Sequence, residues 1–355
     1  MQFNSLTFLI FFVIVLVLYQ WLPTWNAQKR LLFVASYIFY AAWNPPFVLL
    51  LLLSTLVDWH LAKHILASQI LSRRRILLTL SLLCNLGILG VFKYGNFLLD
   101  QFISVAHVIG LSYQPPQWDI ILPVGISFYT FQSLSYTLDV YRGNIRRPAS
   151  LLDFSVFISF FPQLVAGPIV RANHFLPQLE LPKRIEVSSL GLGLALLIFG
   201  LFQKVVLADA IFAPIVNLVY AQPKVFDTFS VWAAVLAFSG QIFYDFSGYS
   251  LCAIGVALCL GFHIPDNFRS PYAANSFSDF WRRWHISLSS WLRDYLYISL
   301  GGNRNSAFRT YCNLMITMLI GGFWHGASWM FVLWGGAARC VSMFRKVGGS
   351  IPDPH

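Results

Sequence analysis

Charge is what this chain has least of. Only 11% of its 355 residues are charged and 57% are hydrophobic, against roughly 25% and 45–50% in soluble globular domains. Fourteen Asp and Glu are too few to coat a water-facing surface of this size. That shortage excludes an ordinary cytosolic enzyme, a disordered chain and a collagen. Cysteine is also scarce. The five thiols, Cys84, Cys252, Cys259, Cys312 and Cys340, show no CxxC spacing, which argues against a disulfide framework or a zinc site and for small buried hydrophobes. No GxSxG elbow, P-loop or HExxH helix occurs, so no familiar nucleophile or metal motif carries the chemistry. No Lys or Arg precedes the first apolar run, and no small-residue cleavage site follows it. The run 3–22 therefore reads as a retained membrane span and not as a cleaved leader.

What is present points to lipid. The formal net charge is +10, carried in short clusters between apolar runs: Lys29-Arg30, Arg73 to Arg75, Arg146-Arg147, Lys183-Arg184 and Arg282-Arg283. A polytopic membrane protein places positive charge this way, at loops facing the cytoplasm and anionic headgroups. No basic soluble domain exists to bind nucleic acid. After 3–22 comes an apolar stretch at 31–57, broken by Asn44-Pro45-Pro46. Basic flanks on both sides suggest a broken or hairpin pair with the N-terminus outside; one kinked span is the alternative. Further apolar segments lie at 76–92, 97–111, 120–140, 151–170, 190–207, 229–262, 277–300 and 315–334. About eight to ten membrane-embedded helices are expected, an all-α polytopic fold.

Several later segments are impure. Segment 151–170 contains Pro162, Gly167 and Pro168, segment 229–262 contains Asp245 and three glycines, and 277–300 contains Arg282, Arg283, His285, Arg293 and Asp294. Polar or irregular backbone at membrane depth survives when buried in protein or lining water. The second half therefore reads as an interior wrapped by other helices. No inverted repeat of the transporter kind is visible.

Two of the eight histidines are not at segment ends. His325 sits in GGFWHGA between two apolar runs, where flanking glycines admit another backbone or a thin substrate chain. A desolvated, neutral imidazole suits a general base; a structural histidine bonded to a carbonyl is the alternative. His285 lies in DFWRRWHISLS. On one continuous helix, Arg282, His285, Ser289 and Arg293 form a polar stripe opposite Trp281, Trp284, Leu288 and Trp291. That pattern also fits an amphipathic helix at the interface. Asp245, a carboxylate in an apolar run, needs a partner, and an arginine of the 281–293 segment is the expected one in a structural ion pair. Asp139 reads as part of a local interfacial pair with Arg142. The run Gly301 to Asn305, which includes Asn303, fits either an anion-binding nest or a plain turn.

Together these stretches resemble a known family. WRRWHISLSSWLRDYLYISLGGNR at 281–304 and GGFWHGASW at 321–329 look like the membrane-bound O-acyltransferase (MBOAT) family, in its alginate O-acetyltransferase-like branch. LPVGISFYTFQSLSYTLDVYRG at 122–143, FPQLVAGPIVR at 161–171 and YDFSGYSLCAIG at 244–255 support it. The resemblance covers nearly the whole chain to about Gly336. It implies a ring of tilted and broken transmembrane helices around a central funnel, with His325 as the catalytic histidine and His285 as the second one. Trp284, Trp324, Arg282, Asp245, Arg293, Asp294 and Asn303 form the expected substrate-binding or supporting set. It implies no bound cofactor or metal, an acetyl thioester donor such as acetyl-CoA or an acyl carrier, and a bacterial inner-membrane location. The implied partners are membrane lipid, a periplasmic acetyltransferase and the polysaccharide synthesis machinery.

The implied function is O-acetylation of an exopolysaccharide or cell-wall sugar. A D-alanyl transferase acting on teichoic acid, a transporter and a non-enzymatic docking platform are the alternatives. The expected organisation is a membrane domain over 1–336, incomplete at its C-terminal end, followed by an atypical tail over 337–355, where the family pattern stops and charge, glycine and proline appear abruptly. That tail reads as a frameshifted or truncated end.

Overall fold

The computed structural model describes residues 1–113, 115, 120–304 and 306–337. The tail from 338 onward, with Cys340, and Asn305 of the glycine-rich run lie outside the described residues. Among the described residues all regular structure is helical, and the protein is a multi-pass membrane protein. Among the described residues four helices are long and apolar enough to cross a bilayer: α3 (Phe47–Ala67), α4 (Leu71–Val108), α9 (Val187–Ala221) and α10 (Thr228–Cys259). The N-terminal α1 (Leu6–Trp21) is apolar but shorter, and α2 is Trp25–Ala41. The centre is built by α5 (Ile126–Arg142) and by three shorter helices, α6 (Leu151–Ser159), α7 (Phe161–Leu164) and α8 (Ala172–Phe175). They are followed in the second half by α11 (Phe277–Arg283), α12 (Ile286–Trp291) and α13 (Ala307–His325). A further helical stretch covers 329–337.

Local sequence explains many of the boundaries. Helices α1, α2, α6, α10, α11 and α13 each begin behind a Ser, Thr or Asp: Ser5, Thr24, Ser150, Asp227, Ser276 and Ser306. Each side-chain oxygen accepts from a backbone N–H three residues on, which satisfies one of the donors a helix start leaves over. Asn44-Pro45-Pro46 does separate two helices, α2 and α3, as the missing donors and the restricted residue before proline require.

Two expectations about charge and irregularity are corrected. Lys29 is not a loop charge facing headgroups. It lies inside α2, 8% exposed, and pairs with Asp153 of α6 at 2.6 Å. Helix α10 runs unbroken for 32 residues despite Asp245 and its glycines. The glycines serve packing: a Cβ at Gly248 or Gly255 would strike the backbone of α9 around Gly200 and Gly193. Small residues facing one another let the two backbones approach closely, the main source of helix affinity in lipid.

Three stretches inside these helices wind as π-helix: Gly90–Tyr94 within α4, Phe202–Phe212 within α9, and Leu292–Tyr297 after α12. Each carries charge, namely Lys93, Lys204 with Asp209, and Arg293 with Asp294. The first half is tied together by a buried carboxylate. Asp58 of α3 is fully buried and accepts from Ser81 (2.5 Å) and Asn85 (2.7 Å) of α4 and from Ser133 of α5. Interhelical bonds of this kind act as polar glue within an apolar bundle. Asp139 is likewise buried rather than interfacial. It accepts from Tyr295 at 2.8 Å and from Asn144 at 3.1 Å, while Arg142 reaches the Asp294 carbonyl and Ser299 instead.

Candidate active site

His325 is the last residue of α13, and Gly326 ends the helix in an extended conformation. The final carbonyls of a helix have no intrahelical partner, and here side chains from α4 take them. Tyr94 donates to the Phe323 carbonyl at 3.0 Å, and Lys93 donates to the Trp324 carbonyl and to Ser127 (3.0 Å). A cation at a helix C-terminus also meets the negative end of its dipole. The Trp324 ring is stacked on Phe131 (centroids 5.4 Å apart), and Phe131 is stacked on Trp291 (4.0 Å). Lys93 sits 5.1 Å from the Trp324 ring centroid. This fixes the end of α13 on three sides. The 329–337 stretch closes back onto α13 where a Cβ at Gly322 or Gly335 would meet opposing backbone. His325 itself is exposed, with the Trp334 ring 5.5 Å away, edge-on.

His285 reaches the site by a different route. The sequence predicts one continuous helix over 281–293, but the chain breaks: α11 ends at Arg283, and His285 adopts φ 44°, ψ 54° before α12 begins. A left-handed conformation at a non-glycine residue costs on the order of 1–3 kcal/mol and persists only when the surroundings impose it. The surroundings are residues 267–269. Ile286 N–H donates to the Asn267 carbonyl at 2.9 Å, and Arg269 N–H donates to the Arg283 carbonyl at 3.0 Å. The kink drives the His285 ring inward to 2% exposure. There its Nδ1 lies 3.1 Å from Asn267 Oδ1, and Phe246 of α10 packs edge-on at 4.7 Å.

The two imidazoles therefore meet, with ring centroids 6.4 Å apart and Trp324 between their elements, 5.1 Å from His325 and 6.1 Å from His285. Of the expected supporting residues, Trp324 belongs to this centre. Trp284 stands one layer away, in an aromatic cluster with Phe243, Phe268 and Phe280; Phe268 also touches Phe246. The others are elsewhere. Asp245 does not pair with an arginine of 281–293. Its partner is Lys204, which also binds Asp209 at 2.8 Å. The π-wound segment of α9 packs along α10 and puts that lysine beside Asp245. Asp294 bridges Arg171 and Arg293. Arg282 and Asn303 are exposed, and the break at His285 dissolves the expected stripe.

Sequence reading missed Lys93 and Asn267. Lys93 had a signal, an ionisable residue amid apolar ones, but it fell between two segments. Asn267 had none beyond being a polar residue in a loop. Among the described residues no group of three or more His, Cys, Asp or Glu side chains is placed to hold a metal.

The chain matches known proteins closely. The membrane-bound O-acyltransferase family model matches residues 142–347. The "Probable alginate O-acetylase AlgI" of Azotobacter vinelandii is 41% identical over 337 residues, covering 94% of this chain and 66% of that protein. The peptidoglycan O-acetyltransferase of Helicobacter pylori is 38% identical over 335 residues, covering 86% and 62%. The teichoic acid D-alanyltransferase of Streptococcus thermophilus is 29% identical over 255 residues, covering 67% and 61%. The chain thus spans somewhat under two thirds of the length of these relatives. It belongs to the membrane-bound O-acyltransferase family.

Proposed function

We propose that this protein is a membrane O-acetyltransferase acting in the bacterial inner membrane, and that residues 1–336 belong to its acyltransferase domain. It takes an acetyl group from a cytoplasmic thioester, acetyl-CoA or an acyl carrier, and delivers it toward an exported polysaccharide. A periplasmic acetyltransferase and the polysaccharide synthesis machinery are its partners. One observation carries the reading: two imidazoles from separate elements, 6.4 Å apart, at the end of a helix held by a lysine and stacked aromatics.

Acyl transfer to a hydroxyl needs a base for the hydroxyl proton and a means of steadying the developing oxyanion. His325, exposed at the helix end, is the base or nucleophile-activating residue. His285 either polarises the acyl carbonyl or orients the acceptor. Transfer is direct in this reading, since no Ser or Cys elbow is present. The acetyl reading is preferred over D-alanyl transfer because the alginate-type relative is 41% identical over 94% of the chain, the D-alanyltransferase 29% over 67%.

The test is acetyl-ester content of the secreted polymer and of peptidoglycan in a strain lacking the gene, complemented with wild type or His325→Ala. Loss of esters from one polymer, restored only by wild type, supports the reading and names the acceptor. Full restoration by His325→Ala sinks the catalytic assignment. A change in polymer amount with unchanged ester content would mean a transporter.

A further inference from the structure

The geometry points to Asn267 as the positioning residue of the site: it locks His285 in the Nδ1–H tautomer, so that the Nε2 lone pair is left for His325. This rests on the reading of the two histidines as the acyl-transfer centre. It also excludes carbonyl polarisation as the role of His285.

The direction of every bond around Asn267 can be worked out. A backbone N–H only donates, and that of Ser287 lies 3.3 Å from the Asn267 side-chain atom assigned as Oδ1. That atom is therefore the oxygen and not the nitrogen of the amide. The Ser287 hydroxyl agrees. Its Oγ accepts from Ile169 N–H at 3.0 Å and so has its own proton free to give to Oδ1 at 2.9 Å. On the other side, Asn267 Nδ2 donates to Ser250 Oγ at 3.1 Å. With the amide oriented, the contact of His285 Nδ1 with Oδ1 at 3.1 Å requires the proton to sit on Nδ1. Neutral imidazole has one donor and one acceptor nitrogen, so Nε2 carries the lone pair. Asn267, His285, Ser287 and Ser250 are each at most 4% exposed, so water does not compete for these bonds.

A neutral His285 of this tautomer has no N–H at Nε2 with which to polarise a carbonyl. What it offers is an acceptor. When His325 takes the proton of the attacking hydroxyl, its imidazolium has two N–H groups. One faces the new ester oxygen, and the other is received by His285 Nε2, directly or through one bridging water across the 6.4 Å between ring centres. The hydroxyl oxygen bonds to the acyl carbon, the thioester C–S bond breaks with its electron pair on sulfur, and the proton held by His325 passes to the thiolate. His285 keeps its own proton throughout. Its task is to orient and stabilise the base, as the third member of a base–orienter chain does. Asn267 acts only through it.

The test is histidine-selective ¹⁵N NMR of the full chain in lipid nanodiscs, with His285 assigned by comparison with His285→Gln. We expect a protonated Nδ1 and a bare Nε2 for His285 in the wild type. A protonated Nε2 with bare Nδ1 overturns the inference without recourse to any variant. The second measurement is acetyl transfer. Asn267→Leu, which keeps volume but offers no acceptor, should release the tautomer and lower transfer about 100-fold, the scale of a misplaced catalytic group. Asn267→Asp, whose carboxylate still accepts from both His285 and Ser287, should recover most of it. Equal activity of Asn267→Leu and wild type would also overturn the inference. Full transfer by His325→Ala would instead sink the reading of the site, while the tautomer measurement would still decide separately whether Asn267 fixes the His285 proton.

Discussion

Two of the buried polar knots in this molecule differ in how completely they close. Around Asp58 the bonds turn inward: one carboxylate accepts from Ser81, Asn85 and Ser133, and three helices are fastened. Around the histidines the bonds close on one side only. Asn267 satisfies His285 from behind, whereas the buried indole N–H of Trp324 has no partner among the described residues and the His325 ring is exposed. A buried polar group without a partner costs free energy. The Asp58 knot uses its donors on helix-to-helix bonds, whereas the proposed site leaves the Trp324 N–H without a partner among the described residues.

The contrast can be broken from either side. His325→Ala should lower acetyl transfer by at least about 100-fold, the usual weight of a general base, while the thermal midpoint in detergent barely moves. Asp58→Ala should do the reverse. It strands three buried donors at about 1–3 kcal/mol each, so the folded yield and midpoint collapse, yet transfer per folded molecule stays within twofold. If both variants lost stability and activity alike, the division would be false.

Lys93→Met comes next. It removes the cation that holds the Trp324 carbonyl and should cost transfer about tenfold through a loosened helix end, on the scale of a small misplacement. The size of that loss, read in steady-state kinetics, measures how far α13 is positioned from α4.

Trp324→Phe sharpens the comparison further. Its N–H has no partner among the described residues, so removing that donor breaks no hydrogen bond, and any fall in the midpoint reports the ring area taken out of the Phe131 stack. A several-fold loss of transfer in a protein of unchanged midpoint would show that the open donor serves the substrate. The smallest effect belongs to Asp245→Asn. Its partner is Lys204 of α9, not a residue of the imidazole centre, and transfer should fall less than twofold.

How much of this was legible depends on which residues did the folding. His325 was legible because glycines, an apolar run and an imidazole stand together in sequence. The Pro45-Pro46 break was legible because it acts within a few residues. The kink at His285 was not. WRRWHISLSS contains no glycine or proline, and its left-handed residue is imposed by Asn267, 18 positions upstream, through bonds that exist only after folding. Asp58 escaped notice because it stands just past an apolar run, where an aspartate looks interfacial. Its partners on α4 and α5 are separated by 23 to 75 residues. The Asp245 partner was misjudged for a related reason: arginines of the active-site segment were favoured over a lysine that helix packing supplies.

The π-wound turn at Gly90–Tyr94 has a consequence for spacing. Such a turn amounts to one residue too many in an α-helix. Lys93 and Tyr94 reach the end of α13 in that register. Deleting one residue from 90–92 would let the segment close into ordinary α winding with its flanks still in phase, but would abolish the wide turn on which Lys93 and Tyr94 stand. The lysine and the tyrosine would then face different neighbours, with no side chain in the active centre altered. Spacing in α4 is therefore part of how this helix end is positioned, and a deletion there should cost transfer on the scale of losing the Lys93 contact, about tenfold.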